Sequence, residues 1–242
     1  MKIPIRCPKE LSELWLIVGI ITLKILSKGL DTVIQIESKE YFKGLGGNYE
    51  IVLADPPWPH YGDPNKNGAA GKEYALMTYD ELVKFPIKRI MAKSSALFCW
   101  MTCPRLQMCM EIVSNWRLYY RGVAYVWVKT RKDGKIISGQ GVPPTFTKPT
   151  VELLTAWTTN RMGRPFPILT FNQGQVVLAP RTGKHSEKPS VFRKNIVKLC
   201  GPRKRVELFA RKKTPGWDSV GYDIDGKDIS DSIDLLAQKN TM

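Results

Sequence analysis

Histidine is nearly absent from this chain of 242 residues, and acids are scarce beside bases. Only His60 and His185 occur, and none of Cys7, Cys99, Cys103, Cys109 and Cys200 forms a CxxC pair. That scarcity leaves no ordinary zinc set, so no metal is expected. An odd number of scattered cysteines also argues against a disulfide framework. Reduced thiols in a cytosol-like compartment are the simpler reading, and a cytoplasmic setting is expected. Long hydrophobic runs are missing too. The longest, Leu14 to Leu26 (LWLIVGIITLKIL), is interrupted by Lys24 and falls short of a bilayer span of about 20 residues. Glu10 and Glu13 precede it where a signal peptide is basic, and no small-residue cleavage site follows. The run reads as a buried helix or strand. Internal repeats and low-complexity blocks are absent.

What is present is positive charge: 37 Lys and Arg against 22 Asp and Glu, a formal net charge of +15. Such a surface draws polyanions, nucleic acid before anionic lipid. The composition is otherwise that of a globular protein, with 43% hydrophobic residues and room for one sizeable core.

Punctuation by Gly and Pro divides the chain into short apolar strands alternating with helices. Tyr49 to Ala54 (YEIVLA) reads as a buried strand ended by Asp55-Pro56-Pro57-Trp58, because two prolines cannot continue a ladder. Residues 59–75 form a Gly/Pro/Asn-rich loop. Thr78-x-x-Glu81 is a capping box that predicts a short helix ending before Pro86. Strands are expected at Ser95 to Thr102, Val123 to Lys129, Val151 to Trp157, Gln175 to Ala179 and Arg205 to Ala210. A helix opens at Pro104 and runs to about Trp116. Another opens at Lys188-Pro189 and runs to Cys200, with Gly201 as its stop. A second loop, 131–149, is basic and Gly/Pro-rich. This order predicts an α/β protein with a mixed, mostly parallel sheet and helices on both faces. Ligands of such sheets sit beyond the carboxyl ends of strands, where Asp55 and Arg211 both fall.

The tetrapeptide Asp55-Pro56-Pro57-Trp58 suits the chemistry of an aromatic amine. The exocyclic amine of adenine is a poor nucleophile because its lone pair is delocalised into the ring. A carboxylate (Asp55) and a rigidly directed carbonyl (Pro56) can accept its hydrogens as the nitrogen becomes tetrahedral, with Pro57 removing backbone freedom. The Trp58 ring offers a stacking plate for the base. Taken alone, the four residues also suit an ordinary strand-ending turn.

More of the chain follows one pattern. YEIVLADPPW (49–58), ALFCWMT (96–102), AYVWVK (124–129), VELLTAW (151–157), VVLAPRTGKHSEKPSVF (176–192) and RKRVELFARKKTPGWDSVGYDIDG (203–226) together resemble the MT-A70 family of adenine N6-methyltransferases. The HSxKP and ELFAR…PGWDxxG segments resemble its bacterial and phage branch. The resemblance implies a Rossmann-like class I S-adenosylmethionine-dependent methyltransferase fold with permuted motif order. It also implies S-adenosylmethionine as methyl donor and the N6 amine of adenine in DNA as acceptor. Asp55 to Trp58 would be catalytic. Asp55, Lys188, Arg211, Tyr222 and Asp223 would meet the donor, Lys188 at its carboxylate and Arg211, Tyr222 and Asp223 near its ribose. The donor's adenine would sit near Ile36–Glu37. Phe209-Ala210-Arg211 stands in place of an FxGxG loop, and Tyr222 replaces the more usual Asn. The two loops would gate the substrate, with Tyr61, Lys129, Arg131, Lys132 and Lys135 on nucleic acid.

The implied organisation is a lead-in segment over 1–47, a methyltransferase domain over 48–228 and a tail over 229–242. Further basic clusters, Arg161-Arg164, Arg181-Lys184, Arg203-Lys204-Arg205 and Arg211-Lys212-Lys213, are expected near the cleft, where they would position a phosphate backbone. An RNA adenine methyltransferase and a catalytically silent nucleic-acid-binding subunit are the alternatives, and the intact Asp-Pro-Pro-Trp opposes the second. A homodimer or an accessory subunit fits the same pattern.

Overall fold

The computed structural model describes residues 12–18, 21–28, 31–36, 47–59, 77–137, 146–162, 168–182 and 187–239, and of residues 12–36 the backbone alone. The chain divides into two compact units, Met1–Lys43 and Gly44–Met242. In the first, β1 (Ser12–Val18), β2 (Ile21–Lys28) and β3 (Asp31–Ile36) form an antiparallel sheet in the order β1-β2-β3. Pairing runs from Ser12↔Ser27 to Val18↔Ile21. The apolar run from Leu14 to Leu26 is therefore two paired strands rather than one element.

The second unit is built on a seven-stranded sheet. Its strands are β4 (Tyr49–Ala54), β5 (Met91–Thr102), β6 (Tyr119–Thr130), β7 (Val151–Thr158), β8 (Val176–Pro180), β9 (Arg205–Leu208) and β10 (Asp218–Val220). Their order is β10-β9-β4-β5-β7-β6-β8. All neighbours are parallel except β5–β7 and β6–β7, so β7 alone runs against the other six. The expected mixed, mostly parallel sheet is what forms.

Alternation along the central strands explains the layers. Val52 and Ala54 of β4 and Leu97, Cys99 and Met101 of β5 face one core. Ile51 and Leu53 with Ala96, Phe98 and Trp100 face the other. Strands buried on both faces need helices on both, because side chains alternate sides. On the first face lie α1 (Tyr79–Val83), α2 (Leu106–Asn115) and α5 (Ile229–Lys239), through Leu82, Cys109, Ile112, Val113, Ile229 and Ile233. On the second lies α3 (Ser190–Cys200), through Phe192, Ile196 and Cys200. A short helix, α4 (Tyr222–Asp225), follows β10.

Local signals place these elements well. Thr78 caps α1 with the reciprocal bonds of a capping box: Glu81 N–H donates to Thr78 Oγ1 (3.3 Å) and Thr78 N–H donates to Glu81 Oε2 (2.7 Å). Gly201 ends α3 at φ 85°, a left-handed conformation that favours glycine. Residues 229–239, expected within a tail, are helical, and Ile229 and Ile233 enter the core. The strands β5 and β6 are longer than expected, 12 residues each: β5 already pairs through Met91 with Tyr49, and β6 through Tyr119 with Thr158. No helix among the described residues is long and apolar enough to cross a membrane.

Candidate active site

The six co-directional strands bring their carboxyl ends to one edge of the sheet. Asp55 leaves β4 there, and Arg211 follows β9. Reversal of β7 puts its amino end at the same edge: Glu152 pairs with Thr102 of β5 and with Trp127 of β6. A chain of charges results. Lys188 Nζ lies 2.7 Å from Asp55 Oδ2 and 3.2 Å from Glu152 Oε2, and Lys129 Nζ lies 2.6 Å from Glu152 Oε1. The Lys188 side chain is 7% exposed and stands over the Trp100 ring, 5.6 Å from its centroid.

Burial alone would strip the charge from Lys188, yet Asp55 and Glu152 hold its pKa above the ordinary lysine value. Glu152 is likewise held below the ordinary value: burial opposes ionisation, but Lys188 and Lys129 outweigh it. Asp55 is pushed above its ordinary 3.8 by burial and by Glu152, against the pull of Lys188. Asp55 is therefore an anionic acceptor, open at both oxygens, only above a raised pKa. If it acts in the ionised form, kcat should fall on acidification with a midpoint above 3.8. A pH profile in which the acid limb lies at or below 3.8 would contradict that role.

The turn after Asp55 is rigid. Trp58 N–H donates to the Pro56 carbonyl (2.8 Å), which keeps a second lone pair for another donor. The Trp58 indole Nε1 donates to the Trp100 carbonyl (3.0 Å), and its ring rests against the core. The ring is thus fixed in one plane, with part of its surface exposed.

Beside this turn lies a cavity of about 510 Å³. Asp55, Pro56 and Pro57 form one wall, Phe209, Ala210 and Arg211 another, and Tyr222 and Asp223 a third; Phe85 and Ile229 contribute apolar surface. Arg211 Nη1 lies 3.7 Å from Asp223 Oδ2. Phe209 turns the chain sharply at φ 58°, a conformation that non-glycine residues rarely adopt and that recurs at ligand sites. Gly221 lets the neighbouring walls meet, since a Cβ there would fall 2.6 Å from the Ala210 carbonyl oxygen.

The expected residues therefore separate into groups. Asp55, Pro56, Pro57, Arg211, Tyr222 and Asp223 line one cavity. Lys188 lies behind Asp55, outside the cavity wall. Lys129, expected on phosphate, is spent on Glu152. Arg131 pairs with Asp133 (3.2 Å), and Lys132 and Lys135 are exposed in the same turn. Tyr61, Lys184, Arg164 and Glu37 lie outside the described residues. Ile36 ends β3, in the other unit. Arg161 and Arg203 to Arg205, expected near the cleft, lie at the opposite edge, because β7 ends there and β9 begins there. Sequence reasoning missed Glu152. Among the described residues no group of three or more His, Cys, Asp or Glu is arranged to hold a metal.

A Rossmann-like sheet with an Asp-Pro-Pro-Trp turn at a central strand end, beside a mixed polar and aromatic cavity, defines a methyltransferase of the nucleic-acid amine class. The MT-A70 family model matches residues 49–223, and the chain belongs to that family. It is 26% identical over 193 residues to the type II methyltransferase M.MunI of Mycoplasma sp, covering 73% of this chain and 78% of that protein. It is 30% identical over 200 residues to the N6-methyladenosine RNA methyltransferase MTA1 of Pyricularia oryzae, covering 78% and 50%. Human METTL3, an N(6)-adenosine-methyltransferase catalytic subunit, is 27% identical over 197 residues, covering 79% and 31%. The chain thus spans most of the Mycoplasma protein and half or less of the two eukaryotic ones. Adenine N6 methylation with S-adenosylmethionine is the chemistry of the family.

Proposed function

We propose that this chain transfers a methyl group to the N6 amine of adenine in DNA. The observation that carries the reading is the Asp55–Lys188–Glu152 arrangement at the end of β4, which gives the Asp-Pro-Pro-Trp turn a fixed, charge-balanced acceptor. Bound S-adenosylmethionine supplies an electrophilic methyl group on a sulfonium. The protein's part is to hold and orient. Asp55 and the Pro56 carbonyl accept hydrogens from the amine as its nitrogen loses conjugation, and the exposed part of Trp58 supports the base. The methyl transfer leaves a cationic nitrogen that loses its proton readily, so no strong base is required.

The cavity suits a nucleoside-bearing amino acid. Arg211 and Asp223 offer donors and acceptors to hydroxyls, Phe209 and Tyr222 offer apolar faces, and Asp55 meets the amino-acid end. The family resemblance implies that Lys188 meets the carboxylate of the same group; as it stands outside the cavity wall and paired with Asp55 and Glu152, it would do so only by leaving one of those partners. DNA as substrate is supported by the HSxKP and ELFAR…PGWDxxG segments and by similarity to a type II methyltransferase. RNA is the second reading, favoured by similarity to relatives named as RNA or adenosine enzymes. If the substrate is duplex, the base must leave the stack to reach Asp55.

The deciding experiment incubates purified protein with isotope-labelled S-adenosylmethionine and either duplex DNA or matched RNA, followed by nucleoside mass spectrometry. Label in N6-methyldeoxyadenosine is the expected outcome. Label only in N6-methyladenosine moves the assignment to RNA. Absence of label in both, with donor binding confirmed, overturns transfer by this chain alone.

A further inference from the structure

The sheet has a second edge, opposite the one that carries Asp55. Three segments meet there: residues 88–93 (KRIMAK) leading into β5, residues 116–121 (WRLYYR) leading into β6, and residues 158–162 (TTNRM) leaving β7. Thr159 Oγ1 donates to the Lys93 carbonyl (2.9 Å), and Arg121 Nε donates to Thr158 Oγ1 (2.7 Å). Arg121 Nη2 donates to the Asn160 carbonyl. Together the segments hold six Lys and Arg and no Asp or Glu. Of the six, Arg89 is paired with Asp234 of α5. Lys88 is close enough to Arg117 for their charges to oppose; burial first, and Arg117 second, bring Lys88 down to about 8.

Two features separate this edge from an ordinary solvated basic face. Arg121 is tied by two acceptors, so its guanidinium is pre-organised rather than free to roam. Tyr120, 45% exposed, packs against the Trp157 ring with centroids 5.0 Å apart and planes inclined at 59°, so it is an exposed ring held in place on this edge, on the opposite face of the sheet from Arg121, which bonds Thr158. Cations that track phosphates, together with a rigid ring on which a base stacks, are the means by which proteins hold single-stranded nucleic acid.

We propose that this edge is a second nucleic-acid site, formed by Lys93, Arg117, Tyr120, Arg121 and Arg161, that holds a single-stranded flank of the substrate away from the catalytic edge. The proposal rests on the reading that the chain acts on nucleic acid. From Lys93 to Thr102 along β5 is roughly 30 Å at about 3.3 Å per residue. A short oligonucleotide in the catalytic cleft does not reach it. A long one does, and gains effective concentration at the cleft from being held there.

The test uses the full chain and a single-stranded DNA of about 40 nucleotides, with RNA of the same sequence alongside, read by fluorescence anisotropy across a salt series. The double variant Lys93→Glu/Arg161→Glu should bind the long strand roughly tenfold more weakly. Its log–log salt slope should be shallower by about 1.4, two contacts at about 0.7 each. Tyr120→Ala should weaken binding with the slope unchanged. Turnover of an oligonucleotide of about 5 nucleotides, too short to span that distance, should be the same in all of these proteins. A matching pair, Lys93→Gln/Arg161→Gln, guards against a folding defect from charge reversal and should show the same effects in smaller measure.

Unchanged affinity and slope for the long strand in both pairs overturn the proposal. So does a loss confined to phosphatidylserine vesicles, which would make the edge a lipid site. Weakened long-strand binding in a protein that methylates no nucleic acid supports the second site and counts against the catalytic reading instead.

Discussion

Asp55→Ala abolishes methyl transfer while the protein stays folded and retains most of its affinity for S-adenosylmethionine; kcat should fall by roughly 10²–10⁴-fold or more. The expectation follows from where Asp55 sits. It is the carboxylate that the β4 strand end presents to the cavity, with Lys188 2.7 Å behind it. The fold should survive, because Lys188 keeps Glu152 as a partner. Donor affinity should fall little, because Arg211, Tyr222 and Asp223 line the rest of the cavity. Asp55→Asn is the sharper companion. It keeps the shape but replaces the anion facing Lys188 with a neutral amide, so a large kcat loss with the donor affinity preserved would assign the effect to the acceptor's charge. Calorimetric donor titration and steady-state kinetics check both. Full activity in Asp55→Ala would sink the mechanism.

Arg193→Met should destabilise the protein by about 3–5 kcal/mol, because it leaves a buried carboxylate without its cation. Arg193 on α3 donates through Nε to Glu207 Oε2 of β9 (2.6 Å) and through Nη2 to the other carboxylate oxygen; both side chains are 7% exposed. Arg193 Nη1 also donates to the Lys188 carbonyl (3.2 Å). The pair thus ties the second face of the sheet to the residue that backs Asp55. For a chain of this size the loss corresponds to a fall in Tm of roughly 6–20 °C. The double variant Arg193→Met/Glu207→Leu should recover much of that stability, since a matched apolar pair often equals or exceeds a buried ion pair. Urea unfolding of the three proteins measures both effects. A loss below about 1 kcal/mol in Arg193→Met would show that Glu207 finds other compensation, contrary to this account.

Much of the architecture was legible in the sequence because its signals are local. A capping box is four residues long, and both halves of Thr78–Glu81 form as expected. Prolines stop β4 where they stand, and Gly201 ends α3. Alternation in β4 and β5 requires only neighbours two apart, and a strand buried on both faces implies helices above and below. Two elements near the end were not legible. The strand Asp218–Val220 is three residues long, too short to carry a period. Helix α5 has a polar composition, ISDSIDLLAQK, whose few apolar residues show their worth only against the core they enter.

The site divides along the same line. Sequence by itself determined the Asp-Pro-Pro-Trp turn, the positions of Lys188 and Arg211, and the sheet that carries them, because each is encoded in contiguous residues. Only the tertiary structure decided which of the remaining charges share an edge. A residue at the start of a strand belongs to the far edge in a parallel sheet, and one at the end to the near edge. The single reversed strand, β7, exchanges those assignments: Glu152 joins Lys188 and Lys129 at the catalytic edge, and Arg161 leaves it. Strand direction is settled by pairing between segments some 50 residues apart, as Cys99 with Thr155. Nothing in the short-range pattern of either strand records it.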